Sequence, residues 1–283
     1  MKANLGYLYL LSPLHTGGTS QEGNIVGIAR EVHTDLPYLP SSTIRGRLRA
    51  ATPETPETPD ENLKKKLWGN TLENVTNGGD ENLTQGGLWV GDAFILWFPV
   101  PSLSHGVVWI TSPFLLHRWL RLVNPNLSSD SQLTIPSVGS FSGGNKNNLY
   151  LKDAIFEAKN LQEWKKDNWK KYIPNGNEET QTISKVLVIS DEDCQVLIQS
   201  SLWRQVKIKL DDKKSVDGGF RYEEAIPPET VMFFPWGKNT IINGTSQELI
   251  KSFKENVLEQ QNYCWQFGGQ ESLGRGFVEL WSN

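Results

Sequence analysis

The first apolar run, Leu5 to Leu11, is short, carries Tyr7 and Tyr9, and stops at Ser12-Pro13. It predicts a buried strand. A long polar loop with Gly17, Gly18, Gly23 and Gly27 follows, then Leu39-Pro40 and a helix over Ile44 to Ala51. Ser41 or Ser42 is the expected N-cap and Pro53 the stop. Gly87 to Val100 and Gly106 to Thr111 are aromatic and β-rich around a Pro-Ser-Leu-Ser turn, and predict an antiparallel pair. Ser112-Pro113 opens a helix to Val123, with proline at the first helical position. Leu149 to Ala158 predicts a strand, and Ser190 to Asp193 a capped helix start.

Further on, Val206, Ile208 and Leu210 alternate with Lys207, Lys209 and Asp211, a strand period. Asp217-Gly218-Gly219 turns the chain so that 206–226 forms a long hairpin, and Thr230 to Trp236 gives another strand. Thr245 to Glu248 is a capping box before a helix with Leu249, Phe253 and Val257 on one face. The glycine-rich stretch Gly268 to Gly276 leads into a final strand, Phe277 to Trp281. Hairpins mixed with helices predict an α+β layer rather than strict βαβ alternation. We read residues 1–283 as one domain with loop insertions at about 52–86, which includes a Thr-Pro-Glu repeat, and 124–182.

Composition narrows the function classes. A net charge of -4 and a pI near 5.7 argue against a protein that is basic overall. A local basic track is still compatible with nucleic acid, because counterion release depends on the contact surface. Cys194 and Cys264 lack metal-ligand spacing and suggest no disulfide framework. Neither a signal-peptide pattern at the start nor a membrane-length apolar run is present, so a cytoplasmic protein is expected. The 11 tryptophans suit a core or interface, and a few could stack on bases.

Three segments carry candidate chemistry. Ser41 to Arg49 joins hydroxyls, a helix N-terminus and Arg45, Arg47 and Arg49, which suits either a phosphate cradle or a capped helix with a solvated basic face. Gly268 to Gly276, with Ser272 and Arg275 as donors, permits close backbone approach, or is simply a turn. The hairpin's lysines, Arg221, Phe220 and Tyr222 suit an RNA strand, or an edge protected from aggregation by charge. His15 ends the first strand and by itself is a loop histidine.

Taken in order, Ser12-Pro13-Leu14-His15-Thr16-Gly17-Gly18, Arg30 to Pro37, Leu39 to Arg49, Val90-Gly91-Asp92-Ala93 with Phe98 to Leu103, Thr111-Ser112-Pro113, Tyr222 to Pro227 and Gly268 to Phe277 form a specific set. The set resembles the RAMP backbone subunits of type III CRISPR effector complexes, most of all those of the Cmr (type III-B) branch. That resemblance implies a modified ferredoxin-like, RNA-recognition-like fold with a protruding β-hairpin thumb. It also implies subunits that line up on a guide RNA, the crRNA, and position complementary single-stranded target RNA beside neighbouring RAMP proteins.

Carried residue by residue, the resemblance makes Gly17, Gly18, Ser41, Ser42, Thr43, Arg45, Gly46, Arg49, Lys207, Lys209, Phe220, Arg221, Tyr222, Gly269, Ser272, Gly274 and Arg275 RNA-binding candidates. His15 becomes an organiser of the cleavage loop. In cleaving members an Asp in that loop supports Mg²⁺- or Mn²⁺-dependent cutting of the target. Gap-free alignment of Arg30 to Pro37 puts Ile25 at this position, and isoleucine can neither ligate a metal nor exchange protons. Glu22 and Asn24 are the nearest polar residues. The expectation is a guide-RNA-binding subunit without cleavage of its own and with no cofactor. The alternative is an active endoribonuclease using Glu22 or another rearranged loop acid. A carbohydrate- or peptide-binding α+β domain is the reading outside the family.

Overall fold

The structure is a computed structural model and describes residues 3–18, 21–22, 25–53, 63–70, 82–123, 133–239, 247–258 and 264–282. Its strands, in chain order, are β1 (Asn4–Leu10), β2 (Gln21–Glu22), β3 (Ile25–Val26), β4 (Tyr38–Leu39), β5 (Leu88–Val90), β6 (Ala93–Ser102), β7 (Gly106–Thr111), β8 (Ser140–Phe141), β9 (Leu149–Tyr150), β10 (Ile155–Phe156), β11 (Gln162–Glu163), β12 (Val186–Val188), β13 (Trp203–Leu210), β14 (Val216–Ala225), β15 (Val231–Lys238), β16 (Trp265–Gln266) and β17 (Phe277–Ser282). The principal helices are α1 (Ser41–Ala51), α2 (Leu63–Trp68), α3 (Pro113–Val123), α4 (Asp191–Ser200) and α5 (Gln247–Phe253).

Four strands set the frame. The order β6-β15-β1-β17 is antiparallel throughout, and the chain visits it as β1-α1-β6, then β15-α5-β17. That is the βαββαβ ferredoxin-like path expected from the sequence. Everything from β7 to the β13–β14 hairpin lies in one connection, between β6 and β15. The central strands are covered on both sides, which is why they read as continuous apolar runs rather than alternating ones. In β1, Leu8 and Leu10 enter one core with α1, α2 and α5, while Leu5, Tyr7 and Tyr9 enter a second core with α3. β15 divides likewise: Met232, Phe234 and Trp236 face the first core, and Val231 and Phe233 the second.

Several local expectations change. The residue at the α1 N-cap is Pro40, and neither Ser41 nor Ser42 caps it. The Ser41 N–H instead donates to the Asp92 carboxylate at 2.6 Å, a partner 51 residues away that no local pattern announces. Ser190 does cap α4, accepting from the Asp193 N–H at 3.1 Å. The strand expected over 149–158 is the short pair β9–β10. Within the stretches read as loop insertions, α2 buries Leu67 and Trp68, and Phe141, Leu161, Trp164, Trp169, Tyr172 and Ile173 are buried as well. The Thr-Pro-Glu repeat and Thr245-Ser246 lie outside the described residues. Among the described residues, no helix is long and apolar enough to cross a membrane.

The glycine-rich stretch closes against the end of β1. The Gly269 N–H donates to the His15 carbonyl at 2.8 Å and the Gly276 N–H to the Pro13 carbonyl at 2.9 Å. Gly276 has φ +77°, and a Cβ there would stand 1.8 Å from the Phe267 carbonyl oxygen. Gly274 has a similar φ of +72° but open space around it. Gly274→Ala is expected to cost ~1 kcal/mol, the ordinary left-handed penalty. Gly276→Ala adds a backbone collision and should cost at least ~3 kcal/mol. Thermal melts of the two variants check this, and equal losses would show that the close approach is relaxed in solution.

Candidate functional site

β13 and β14 form the predicted hairpin, which starts earlier than expected, at Trp203. The register pairs Val206 with Tyr222 and Ile208 with Phe220 on one face, and Lys207 with Arg221 on the other. The strand period therefore holds. The charged face differs from the basic track read from the sequence, because its cations are paired: Lys207 with Glu223 at 2.7 Å, Arg221 with Glu223 at 3.0 Å, and Lys209 with Asp217 at 2.8 Å. The other face is open and apolar, with Val206, Ile208, Leu210, Val216, Phe220 and Tyr222 all exposed. Phe220 and Tyr222 meet edge-on at 5.6 Å.

The hairpin is the centre of a second sheet, in the order β13-β14-β3-β2. Ile25 is the register partner of Tyr222 in β14 and of Glu22 in β2. Ile25 thus extends the row begun by Val206 and Tyr222, and its exposed side chain continues the apolar face. Glu22 belongs to the same row by its backbone. The position where the resemblance calls for an acid is used here as part of a hydrocarbon surface.

At the hairpin's root two carboxylates collect cations. Glu223 is fully buried. Burial pushes its carboxyl up, but the hydrogen bond and charge of Lys207, and then those of Arg221, outweigh it and hold it below the ordinary range. Arg275 of the glycine-rich stretch stands 3.9 Å away on the same side. Glu224, also buried, takes Arg30 at 2.8 Å and Arg204 at 3.0 Å. His15 lies against this root, with its Nδ1 2.9 Å from the Glu224 carbonyl. A carbonyl can only accept, so Nδ1 carries a proton and donates.

The structure thus gathers His15, Lys207, Arg221, Gly269 and Arg275 at the hairpin root, with Tyr222 on the opposite face of the hairpin. Ser272 and Gly274 are exposed on the neighbouring turn, and Gly17 and Gly18 are exposed on the loop after His15. Arg45 and Arg49 are used differently from the predicted cradle. They donate to the Trp68 and Gly69 carbonyls, the latter at 3.0 Å, and so clasp the end of α2. The Asp92 carboxylate already takes the Ser41 N–H at the α1 N-terminus, which leaves Ser42, Gly46 and Arg47 as the exposed part of that helix face. Sequence reasoning missed Asp92, Arg30 and Arg204 as structural partners. Alternation places Glu223 on the lysine face, where the structure has it, but does not reveal its burial as the common partner of Lys207 and Arg221.

The described residues of the site do not fit a divalent ion. Among the described residues no group of three or more His, Cys, Asp and Glu could hold a metal. Glu223 and Glu224 are both turned onto cations, and Ile25 offers only hydrocarbon. No step through a metal follows from this site.

Comparison with known proteins agrees with the fold. The sequence profile of the RAMP superfamily matches residues 7–279. The chain is 28% identical, over 99% of its length and 95% of the relative's, to the CRISPR system Cmr endoribonuclease Cmr4 of Pyrococcus furiosus. The crystal structure of oligomeric Cmr4 from Pyrococcus furiosus superposes with a TM-score of 0.69 at 25% identity, covering 100% of this chain and 98% of that one. A subunit of a type III-B Cmr-beta complex bound to cognate target RNA gives a TM-score of 0.70 at 22% identity, covering 99% and 96%.

Glu223→Gln should lower stability by ~2 kcal/mol at neutral pH. This is below the ~3–5 kcal/mol of a fully buried broken pair, because Arg221 is 58% exposed and can rehydrate. The depressed carboxyl gives the sign. The contribution is complete above the ordinary glutamate value of 4.5 and fades as pH falls through the lower folded value. Melts from pH 7 down to pH 3 should show the gap between wild type and variant closing below about pH 4.5. A gap that widened on acidification would contradict the network.

Proposed function

The chain belongs to the RAMP superfamily, and on that premise we propose that it is a guide-RNA-binding backbone subunit of a type III CRISPR ribonucleoprotein. It holds guide and single-stranded target RNA alongside other effector subunits in the cytoplasm, and it does not cut the target. The observation that carries this reading is the charge arrangement at the hairpin root. Three cations, Lys207, Arg221 and Arg275, face Glu223, and two, Arg30 and Arg204, face Glu224. On a chain of net charge -4 this is a local positive excess, and phosphates respond to the local excess. The near full-length likeness to Cmr4, whose solved form is oligomeric, supports repeated subunits.

RNA contact in this reading divides by chemistry. Lys207, Lys209, Arg221 and Arg275, with the backbone of Gly17, Gly18, Gly269 and Gly274 and the Ser272 hydroxyl, address phosphates. Phe220 and Tyr222 present rings to bases. On α1 the exposed Ser42 and Gly46 are the points of close approach, with Ser41 and Thr43 beside them, and Arg45 and Arg49 act through α2.

The absence of cleavage rests on Ile25 and on the occupied carboxylates. A second reading, an active nuclease, is favoured by one observation: Glu22 is the register partner of Ile25 in the β2–β3 pairing. A test uses the assembled complex with Mg²⁺ or Mn²⁺, end-labelled target RNA, and every other nuclease subunit disabled. The target is expected to stay intact at the positions this subunit faces, in wild type and in Glu22→Ala alike. Regularly spaced metal-dependent products that vanish in Glu22→Ala, a change of about 10²-fold or more, would establish the second reading instead.

A further inference from the structure

The turn at 31–35 is held far more firmly than an ordinary loop tip. The Glu31 N–H donates to the Leu36 carbonyl at 2.9 Å and the Asp35 N–H to the Glu31 carbonyl at 2.8 Å. Thr34 donates its hydroxyl to the Glu31 carboxylate and accepts the Leu36 N–H at 3.2 Å. Arg118 of α3 pairs with Glu31 at 2.8 Å, with side chains only 11% and 7% exposed. The Arg118 guanidinium also lies over the rings of Phe94 and Phe114, at 4.3 and 4.7 Å. From α4, the Gln199 amide donates to the Asp35 carbonyl and to its carboxylate. A nearly buried ion pair is costly to desolvate, and this one braces a turn whose tip is Val32, 104% exposed. Binding residues are typically carried on loops that a rigid scaffold positions, and Val32 is carried in that way.

Val32 does not stand alone. Beside the turn is a hollow of about 220 Å³, whose lining includes His33, Leu36, Phe114, Asp191, Glu192 and Gln195. On α4, Val196 is 64% exposed and follows Glu192 by one helical turn, on the face that also carries Gln199. Around these apolar groups Asp35, Asp191, Glu192 and Asp193 are all exposed, and neither Glu192 nor Asp193 has an ion-pair partner among the described residues. We propose that this face docks another protein subunit of the complex, one that offers an apolar socket to Val32 and a lysine or arginine to the hollow. An apolar centre within a polar rim is the anatomy of a protein interface. The hollow is smaller than the ~300–1,000 Å³ of ligand sites but takes one long side chain. Leu36 and Phe114 suit the apolar stem of a lysine or arginine, and Glu192 its charged head. Four exposed carboxylates repel a phosphate backbone, so RNA is a poor occupant. A second copy is a poor one too: symmetric docking sets these carboxylates against each other, and the hairpin cations of an acidic chain are already paired.

The inference rests on the reading of the chain as a subunit of a larger complex, and the test separates the two. The full chain is co-expressed with its neighbouring gene products, and native mass spectrometry of the purified complex counts each protein subunit and the bound RNA. Glu192→Arg sets a cation against the partner's cation and should lower the occupancy of one protein subunit by about 10-fold or more. Val32→Asp should lower the same subunit about 10-fold, with bound RNA retained. Melting curves accompany both variants. A photoreactive benzophenone residue at position 32, which does not depend on a loss of binding, should crosslink to that subunit next to a lysine or arginine. If the complex assembles and both variants keep the wild-type occupancy of every subunit, the docking surface is wrong while the subunit reading stands. Crosslinks that fall on a second copy of this chain or on RNA overturn the choice of occupant. If wild type joins no neighbouring subunit and carries no RNA, both inferences fall together.

Discussion

Glu223 cannot be solvated where it stands, so its charge has to be met by cations brought from elsewhere in the chain. Lys207 comes from the opposite strand of the hairpin, Arg221 from two residues back on its own strand, and Arg275 from the last loop before β17. Because Arg275 sits in a stretch hydrogen-bonded to Pro13 and His15, this one carboxylate links the projecting hairpin to the end of the first strand. Glu224, its neighbour in sequence, points to the other side of the sheet and extends the linkage to Arg30 and Arg204. Adjacent strand residues face opposite ways, so the pair acts as a two-sided anchor. Without it the hairpin would be joined to the body mainly by the continuity of β13 and β14 and by the short β3 pairing.

The same pairing shapes what the hairpin offers to a ligand. A lysine held at 2.7 Å by a buried carboxylate is a weaker phosphate contact than a free one, since part of its field is already spent. The open face is instead Val206, Ile208, Phe220 and Tyr222, extended by Ile25. An exposed apolar row of this kind is unusual on a monomer and marks a surface meant to be covered. Bases and apolar protein side chains suit it far better than a bare phosphate backbone does. Charge therefore concentrates at the root and hydrocarbon along the projection, a division the alternating sequence pattern predicts only in part.

Local information was enough for the frame. β1, β6, β7, β15 and β17 are continuous or alternating apolar runs, and α3 and α4 carry their start signals within four residues. What depended on distant partners was illegible. Asp92 caps a helix 51 residues before it, Arg45 and Arg49 clasp carbonyls at the end of α2, and Glu223 meets Arg275 across β15, α5 and β16. The polar stretches around Trp68, Trp164 and Trp169 show the same limit from the packing side. Isolated aromatics among lysines and asparagines have no period, yet each is buried, because distant rings receive them: Trp68 meets Phe253 edge-on and Trp164 meets Tyr172.

Chemistry at the root is constrained by the same electrostatics. A general base needs a lone pair that a substrate proton can reach and a pKa near the working pH. Glu223 is held below the ordinary carboxyl range by Lys207 and Arg221 against the opposing effect of burial, and its oxygens face those cations. Glu224 is likewise turned onto two arginines. Glu223 is therefore a poor proton acceptor, and both carboxylates organise positive charge. His15 stands beside them with its Nδ1 on the Glu224 carbonyl, and Ile25, the register partner of Tyr222, offers only hydrocarbon. Each cation that meets Glu223 or Glu224 therefore does two things at once: it concentrates positive charge at the root and it occupies a carboxylate oxygen.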